Sequence, residues 1–114
     1  MKIQVEDLAR QQLIDIYYYN YRISLQNAIR TNKDIQQKIH NIENTPFVGR
    51  AIPELSDERF REIIFKKSRH SMYRIMYFIS DKNNIIYVFN IINSKQNFKN
   101  ILKLHSYFNN YFNF

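Results

Sequence analysis

"YRIMYFISDKNNIIYVFNII" spans Tyr73 to Ile92, and its reading decides the fold. Two apolar runs, Tyr73 to Ser80 and Ile85 to Ile92, flank the polar segment "SDKNN". Runs of this length, rich in Tyr, Ile, Phe and Val and separated by Asn and Asp, predict a β-hairpin with a tight turn. A strand sends alternate side chains to opposite faces. In the first run, Tyr73, Ile75, Tyr77 and Ile79 then oppose Met72, Arg74, Met76 and Phe78. In the second, Ile85, Tyr87, Phe89 and Ile91 oppose Ile86, Val88, Asn90 and Ile92. Both faces are apolar, as expected of strands covered on one side and partly enclosed on the other. Arg74 and Asn90 are the two polar interruptions.

A third strand-like run, Phe60 to Lys67, precedes the hairpin. Lys66, Lys67, Arg69 and His70 lie at its end and in the turn that follows. The three runs predict an antiparallel meander. Before them, "NTPFVGRAIPELSDE" (Asn44 to Glu58) holds both prolines and the only glycine. It reads as an irregular connection within one domain, anchored by Phe47, Val48, Ile52 and Leu55.

The N-terminal half is helical. "KIQV" (Lys2 to Val5) alternates as a short strand. Asp7 is placed to cap a helix from Leu8 to about Asn20, with Leu8, Leu13, Ile16, Tyr17 and Tyr19 as its stripe. Ser24 is placed to cap a second helix. Its stripe is Leu25, Ala28, Ile29, Ile35, Ile39 and Ile42, with Asn32 as the polar step, and it stops before Pro46. The two helices should form an antiparallel hairpin. Ser94 is placed to cap a last helix with Phe98, Ile101, Leu102 and His105. Residues 103–114 read as a tail or as an extension of that helix. The fold class is therefore α+β: a short N-terminal strand, a helical hairpin, a three-stranded antiparallel meander and a C-terminal helix, in one domain over residues 1–114.

The totals narrow the function classes. With 114 residues and 45 % hydrophobic content, the chain suits one core. One glycine is too few for a Gly-rich phosphate loop. The absence of cysteine removes disulfides and thiolate metal sites. His40, His70 and His105 have no metal-binding spacing, so neither metal nor cofactor is expected. The formal charge of +7 favours an acidic or polyanionic partner. The segment "MKIQVEDLAR" carries early acids and no apolar core, so neither a signal peptide nor a membrane span is expected. A cytoplasmic location follows as an expectation.

Several pieces together resemble the RelE/ParE superfamily of toxins from type II toxin–antitoxin systems. They are "LIDIYYY", "TPFVGRAIPEL", "FREIIF", "YRIMYFI" and "IIYVFNII". The resemblance covers roughly Ile3 to Leu102, and the connection with its Pro-Glu is closer to the ParE branch. It implies a growth-inhibiting toxin that forms a hetero-oligomer with a cognate antitoxin, whose extended and often acidic segment wraps around it. In the ParE branch it implies poisoning of DNA gyrase without catalysis by the toxin. In the RelE branch it implies cleavage of mRNA on the ribosome. Fold alone does not choose between them.

The resemblance also assigns candidate residues. Arg74 matches the arginine that contacts the scissile phosphate in ribonuclease members, and Glu54 matches a carboxylate used as base in some of them. These two are the catalytic candidates, and only for a ribonuclease. Metal-independent RNA cleavage also needs an acid for the leaving oxygen. Asn93 stands where many members carry histidine, and an amide cannot serve. His70, His105, Tyr107 and Tyr111 are substitutes only by position in space. Lys66, Lys67, Arg69, His70, Arg74 and Arg61 are the candidates for contact with a protein partner or nucleic acid. The plainer reading makes Arg74 the partner of Glu54 or Glu62, and the basic residues a solvated turn.

Overall fold

The computed structural model describes residues 1–94 and 101–112. The chain order is β1 (Lys2–Val5), α1 (Asp7–Tyr21), α2 (Leu25–Asn44), β2 (Arg50–Ala51), β3 (Phe60–Ser68), β4 (Ser71–Ser80), β5 (Ile85–Asn93) and α3 (Ile101–Phe112). This is the expected α+β arrangement with one added element. β2 lies inside the connection, and its two residues pair with Glu62 and Arg61.

The strands form one sheet in the order β1-β5-β4-β3-β2. β1 runs parallel to β5, and the other neighbours are antiparallel. The turn after β4 closes through Asn84, whose φ of 55° is the left-handed conformation that Asn tolerates. β4 has the alternation expected of it. Tyr73, Ile75, Tyr77 and Ile79 join the cluster beneath the helical hairpin, and Met76 and Phe78 join the cluster on the other face.

β5 departs from strict alternation. Met76 pairs with Asn90, but Tyr77 pairs with Val88, so Phe89 is an extra residue in β5. A β-bulge of this kind reverses which face later residues occupy. Ile91 therefore packs with Ile86 and Val88 beneath the helices, and Ile92 with Tyr87 and Phe89 on the opposite side. Gln12 of α1 completes the bulge. Its Oε1 accepts the Ile91 N–H at 2.7 Å, and its Nε2 donates to Asn90 Oδ1 at 2.7 Å.

The helices use different stripes from those the apolar residues suggest. In α1 the buried positions are Ala9, Leu13 and Asn20, while Leu8 and Tyr19 are exposed. Asp7 is the first helical residue and not the cap, and it pairs with Arg10 one turn on. In α2 the buried line is Ala28, Thr31, Ile35, Ile39 and Ile42, a three- and four-residue rhythm that leaves Leu25 and Ile29 exposed. Ser24 caps α2 as expected, its hydroxyl accepting the Asn27 N–H at 3.0 Å. The helical hairpin covers one sheet face. Ile52 and Leu55 of the connection, with Ile101 of α3, cover part of the other. The expected cap at Ser94 concerns a helix start that lies outside the described residues, as does Phe98. Of the stretch read as a tail or extension, residues 103–112 belong to helix α3.

Candidate functional site

Arg74 sits mid-strand in β4, paired with Ile64 on one side and Ile92 on the other. Its side chain lies on the sheet face away from the helical hairpin and is only 8 % exposed. A guanidinium there requires anionic partners, since an unpaired buried charge is strongly disfavoured. Two carboxylates supply them. Nε donates to Glu62 Oε1 at 2.6 Å, and the two terminal nitrogens donate to Glu54 at 2.9 and 2.8 Å. Glu62, 1 % exposed, accepts a second arginine: Arg50 Nε reaches its Oε2 at 2.8 Å. The four residues balance as two cations and two anions.

The electrostatics follow from this geometry. The hydrogen bonds from Arg74 hold Glu54 below the usual carboxylate range, against the opposing effect of burial. Burial disfavours the charged form of Arg74, but its bonds to Glu54 and Glu62 outweigh that and raise its pKa. Glu54 is thus an ionised, engaged carboxylate and a weak base. The donors of Arg74 are aimed at carboxylates, not outward.

The connection is built to deliver Glu54 and Arg50. Tyr77 Oη donates to the Pro46 carbonyl at 2.6 Å and accepts the Gly49 N–H at 3.0 Å. A Cβ on Gly49 would lie 2.5 Å from the Glu62 carbonyl oxygen and 2.7 Å from Tyr77 Oη. The single glycine is therefore a close-approach position. Arg61 donates from Nε to the Gly49 carbonyl at 2.9 Å and lies over the Phe47 ring. Further along, Asp57 accepts from Arg59 at 2.9 and 2.5 Å, and His105 of α3 approaches it at 3.3 Å. The bonds from Arg59 hold the Asp57 carboxyl down to about 2.

The predicted site residues do not form one patch. Arg74 and Glu54 come together, with Glu62 and Arg50 added. Lys66 shares the Arg74 face, opposite Met72. Lys67 points the other way, and its Nζ bonds Asn20 Oδ1 in the buried end of α1. Burial lowers the Lys67 pKa. Arg69 and His70 form the exposed two-residue tip between β3 and β4. Arg61 fastens the connection.

The acid position is displaced as well. Asn93 pairs with Tyr73 and lines a groove with Asp15, Ile16 and Tyr19, on the hairpin side of the sheet. It therefore projects away from Arg74. His105 is engaged with Asp57, and Tyr107 lines a separate groove with Glu6, Leu8 and Phe89. The Tyr111 side chain lies outside what is described. Among the described residues, no group of three His, Cys, Asp or Glu could hold a metal ion. No helix among them is long and apolar enough to cross a membrane.

Arg50, Asn20 and Gln12 were not singled out from sequence. Arg50 had one usable signal, the "GR" beside the only glycine. Asn20 and Gln12 had none, because each acts on a partner 47 or more positions away.

Comparison with known families gives one match. The family model described as ParE toxin of type II toxin-antitoxin system, parDE, matches residues 3–98. No curated protein matches the chain.

Proposed function

The chain belongs to the ParE toxin family of type II toxin–antitoxin systems, and from that premise we propose that it acts on DNA gyrase and is neutralised by a cognate antitoxin. It does so as a protein-binding poison, without catalysing a bond change. The observation that carries this reading is the state of Arg74. Its guanidinium is engaged by Glu54 and Glu62 within a charge-balanced group, so it is not an open cation waiting for a scissile phosphate. Asn93, in the late position, projects to the opposite sheet face. A metal-independent ribonuclease needs a base, a cation and an acid converging on one phosphate.

One observation favours the second reading, a ribosome-dependent mRNA endoribonuclease. Glu54 and Arg74, the candidate base and cation, are adjacent, and the Glu54 side chain is 33 % exposed. The deciding experiment incubates the purified chain with gyrase, relaxed DNA and ATP. Supercoiling should fall and cleaved DNA complexes should accumulate. Unaffected gyrase, together with new transcript ends after induction in cells, would overturn the proposal in favour of the ribonuclease.

A further inference from the structure

The groove between α1 and the start of β4 has a buried polar group at its wall. Tyr73 is only 3 % exposed, and its ring packs in the core beneath the helical hairpin, stacked on Phe65 at 6.3 Å between centroids. Its hydroxyl has no hydrogen-bond partner among the described residues. Among those residues no fully enclosed side-chain oxygen or nitrogen lacks a partner. The Tyr73 hydroxyl therefore keeps its small exposure, and the groove it lines is where that exposure lies. A buried phenol usually finds a partner for its O–H. Here the space for one is a groove of about 390 Å³.

The rest of the lining follows from two simple repeats. Asp15, Ile16 and Tyr19 stand three and four residues apart on α1 and so share a helix face. Tyr73 and Asn93 are direct partners across β4 and β5. Asp15 accepts from Gln11 through Oδ1 alone, and its Oδ2 has no partner among the described residues. Tyr19 leaves much of its ring open, at 61 % exposure. Among the described residues, no lysine or arginine lines the groove. Lys67, beneath the same helices, is committed to Asn20.

This lining selects a ligand class. A phosphate or carboxylate would find no cation here and would meet the charge of Asp15. A cation gains from that carboxylate and from the negative face of an aromatic ring. Guanidinium suits the set better than ammonium. Its planar fork matches a carboxylate, and its plane stacks on tyrosine. A spare N–H can then be accepted by the Tyr73 hydroxyl, and an alkyl stem can lie along Ile16. On a chain of net charge +7, a groove with a carboxylate and two phenols but no cation is the exception. We infer that this groove is a binding site for an alkyl-guanidinium group. The site does not depend on the gyrase reading.

The test titrates propylguanidinium into the intact, isotope-labelled chain and follows amide shifts by NMR. Shifts at Ile16, Tyr19, Tyr73 and Asn93 should saturate, with a Kd of about a millimolar. Propylurea has the same shape without the charge, and propyl phosphate has the opposite charge. Neither should move these amides, and added salt should weaken the guanidinium effect. Asp15→Asn and Tyr73→Phe should each weaken binding by about tenfold, the scale of one hydrogen bond to a charged group. Tyr73→Phe should leave the unfolding midpoint unchanged, since the hydroxyl has no internal partner to lose. A capped Ala-Arg-Ala peptide distinguishes the two sources of the group. Tighter binding than propylguanidinium assigns the site to an arginine side chain of a partner protein, and equal binding assigns it to a free guanidine. Equal shifts with propylurea, or parental binding by both variants, would overturn the site. So would a lowered unfolding midpoint in Tyr73→Phe, which would mean that the hydroxyl is already used within the fold.

Discussion

Arg74 and Glu62 meet across adjacent strands, Nε to Oε1 at 2.6 Å, on a sheet face where both are nearly inaccessible to water. The pair is held in common with Glu54 and Arg50, so its loss is felt as stability before it is felt as chemistry. Removing one member of a buried pair leaves the other charge poorly compensated. Arg74→Ala should cost about 3–5 kcal/mol in urea unfolding. Glu54→Gln should cost less than about 1 kcal/mol, because Glu54 is a third exposed and its attraction is screened. Equal costs for the two variants would contradict the assignment of Glu62 as the buried anchor. Loss of toxicity in Arg74→Ala is therefore interpretable only with the unfolding curve beside it.

Gly49→Ala should destabilise by about 2–3 kcal/mol, the usual scale for overpacking a site that cannot relax. The new methyl would meet the Glu62 backbone, which is fixed in the sheet. Tyr77→Phe should cost about 1–3 kcal/mol by leaving the Gly49 N–H without its acceptor. Thermal or urea denaturation of the two single variants and the double variant measures both effects. The two costs should not add, since both act on the Tyr77–Gly49 contact.

Gln12→Ala removes the side chain that satisfies the Ile91 N–H at the β5 bulge. The expected cost is about 1–3 kcal/mol, the price of a buried donor left unpaired. Amide exchange at Ile91 should accelerate more than at Val88. Uniform acceleration along β5 would instead indicate loss of the whole strand and would contradict the local role.

Acid should weaken the connection through Asp57. Its folded value is about 2 against an ordinary 3.8, so the folded state holds the proton less tightly than the unfolded chain. A depressed carboxyl contributes its full stabilisation above the ordinary value and loses it as pH falls from about 4 through about 2. The contribution is about 1–2 kcal/mol. Glu54, shifted in the same direction, adds to the same acid loss. Asp57→Asn should unfold more easily than the parent chain at pH 6, and the difference should shrink towards pH 2. A difference that does not change with pH would remove Asp57 from this role.

Much of the fold was legible in the residues themselves. The alternation of Tyr73 to Ser80 and the "SDKNN" turn specify a central strand and its hairpin, because burial on both faces demands apolar side chains at every position. Ser24 marks the start of α2 because a side-chain oxygen there satisfies a helix N–H that has no other partner. The family pattern was legible too, since its residues lie in short local groups. The helix stripes were only partly legible. Asn20 and Thr31 occupy core positions that composition assigns to apolar residues, and Leu25 and Ile29 lie outside the buried line.

What only the tertiary structure decided depends on register. One extra residue in β5, Phe89, moves Ile91 to the face opposite the one alternation gives it, and no local signal marks that insertion. The basic group around the β3–β4 turn looks continuous along the chain. Successive strand residues face opposite ways, however, so Lys66 goes to the Arg74 face and Lys67 to Asn20 beneath the helices. The partners of Arg74 are set in the same way. The sequence by itself determined that a buried strand carries an arginine and therefore needs carboxylates. It also offered Glu54 or Glu62 as the partner; that both bind Arg74 at once, and that Glu62 shares itself with Arg50, was decided by strand pairing and by the close approach of Gly49 that brings the connection onto the sheet.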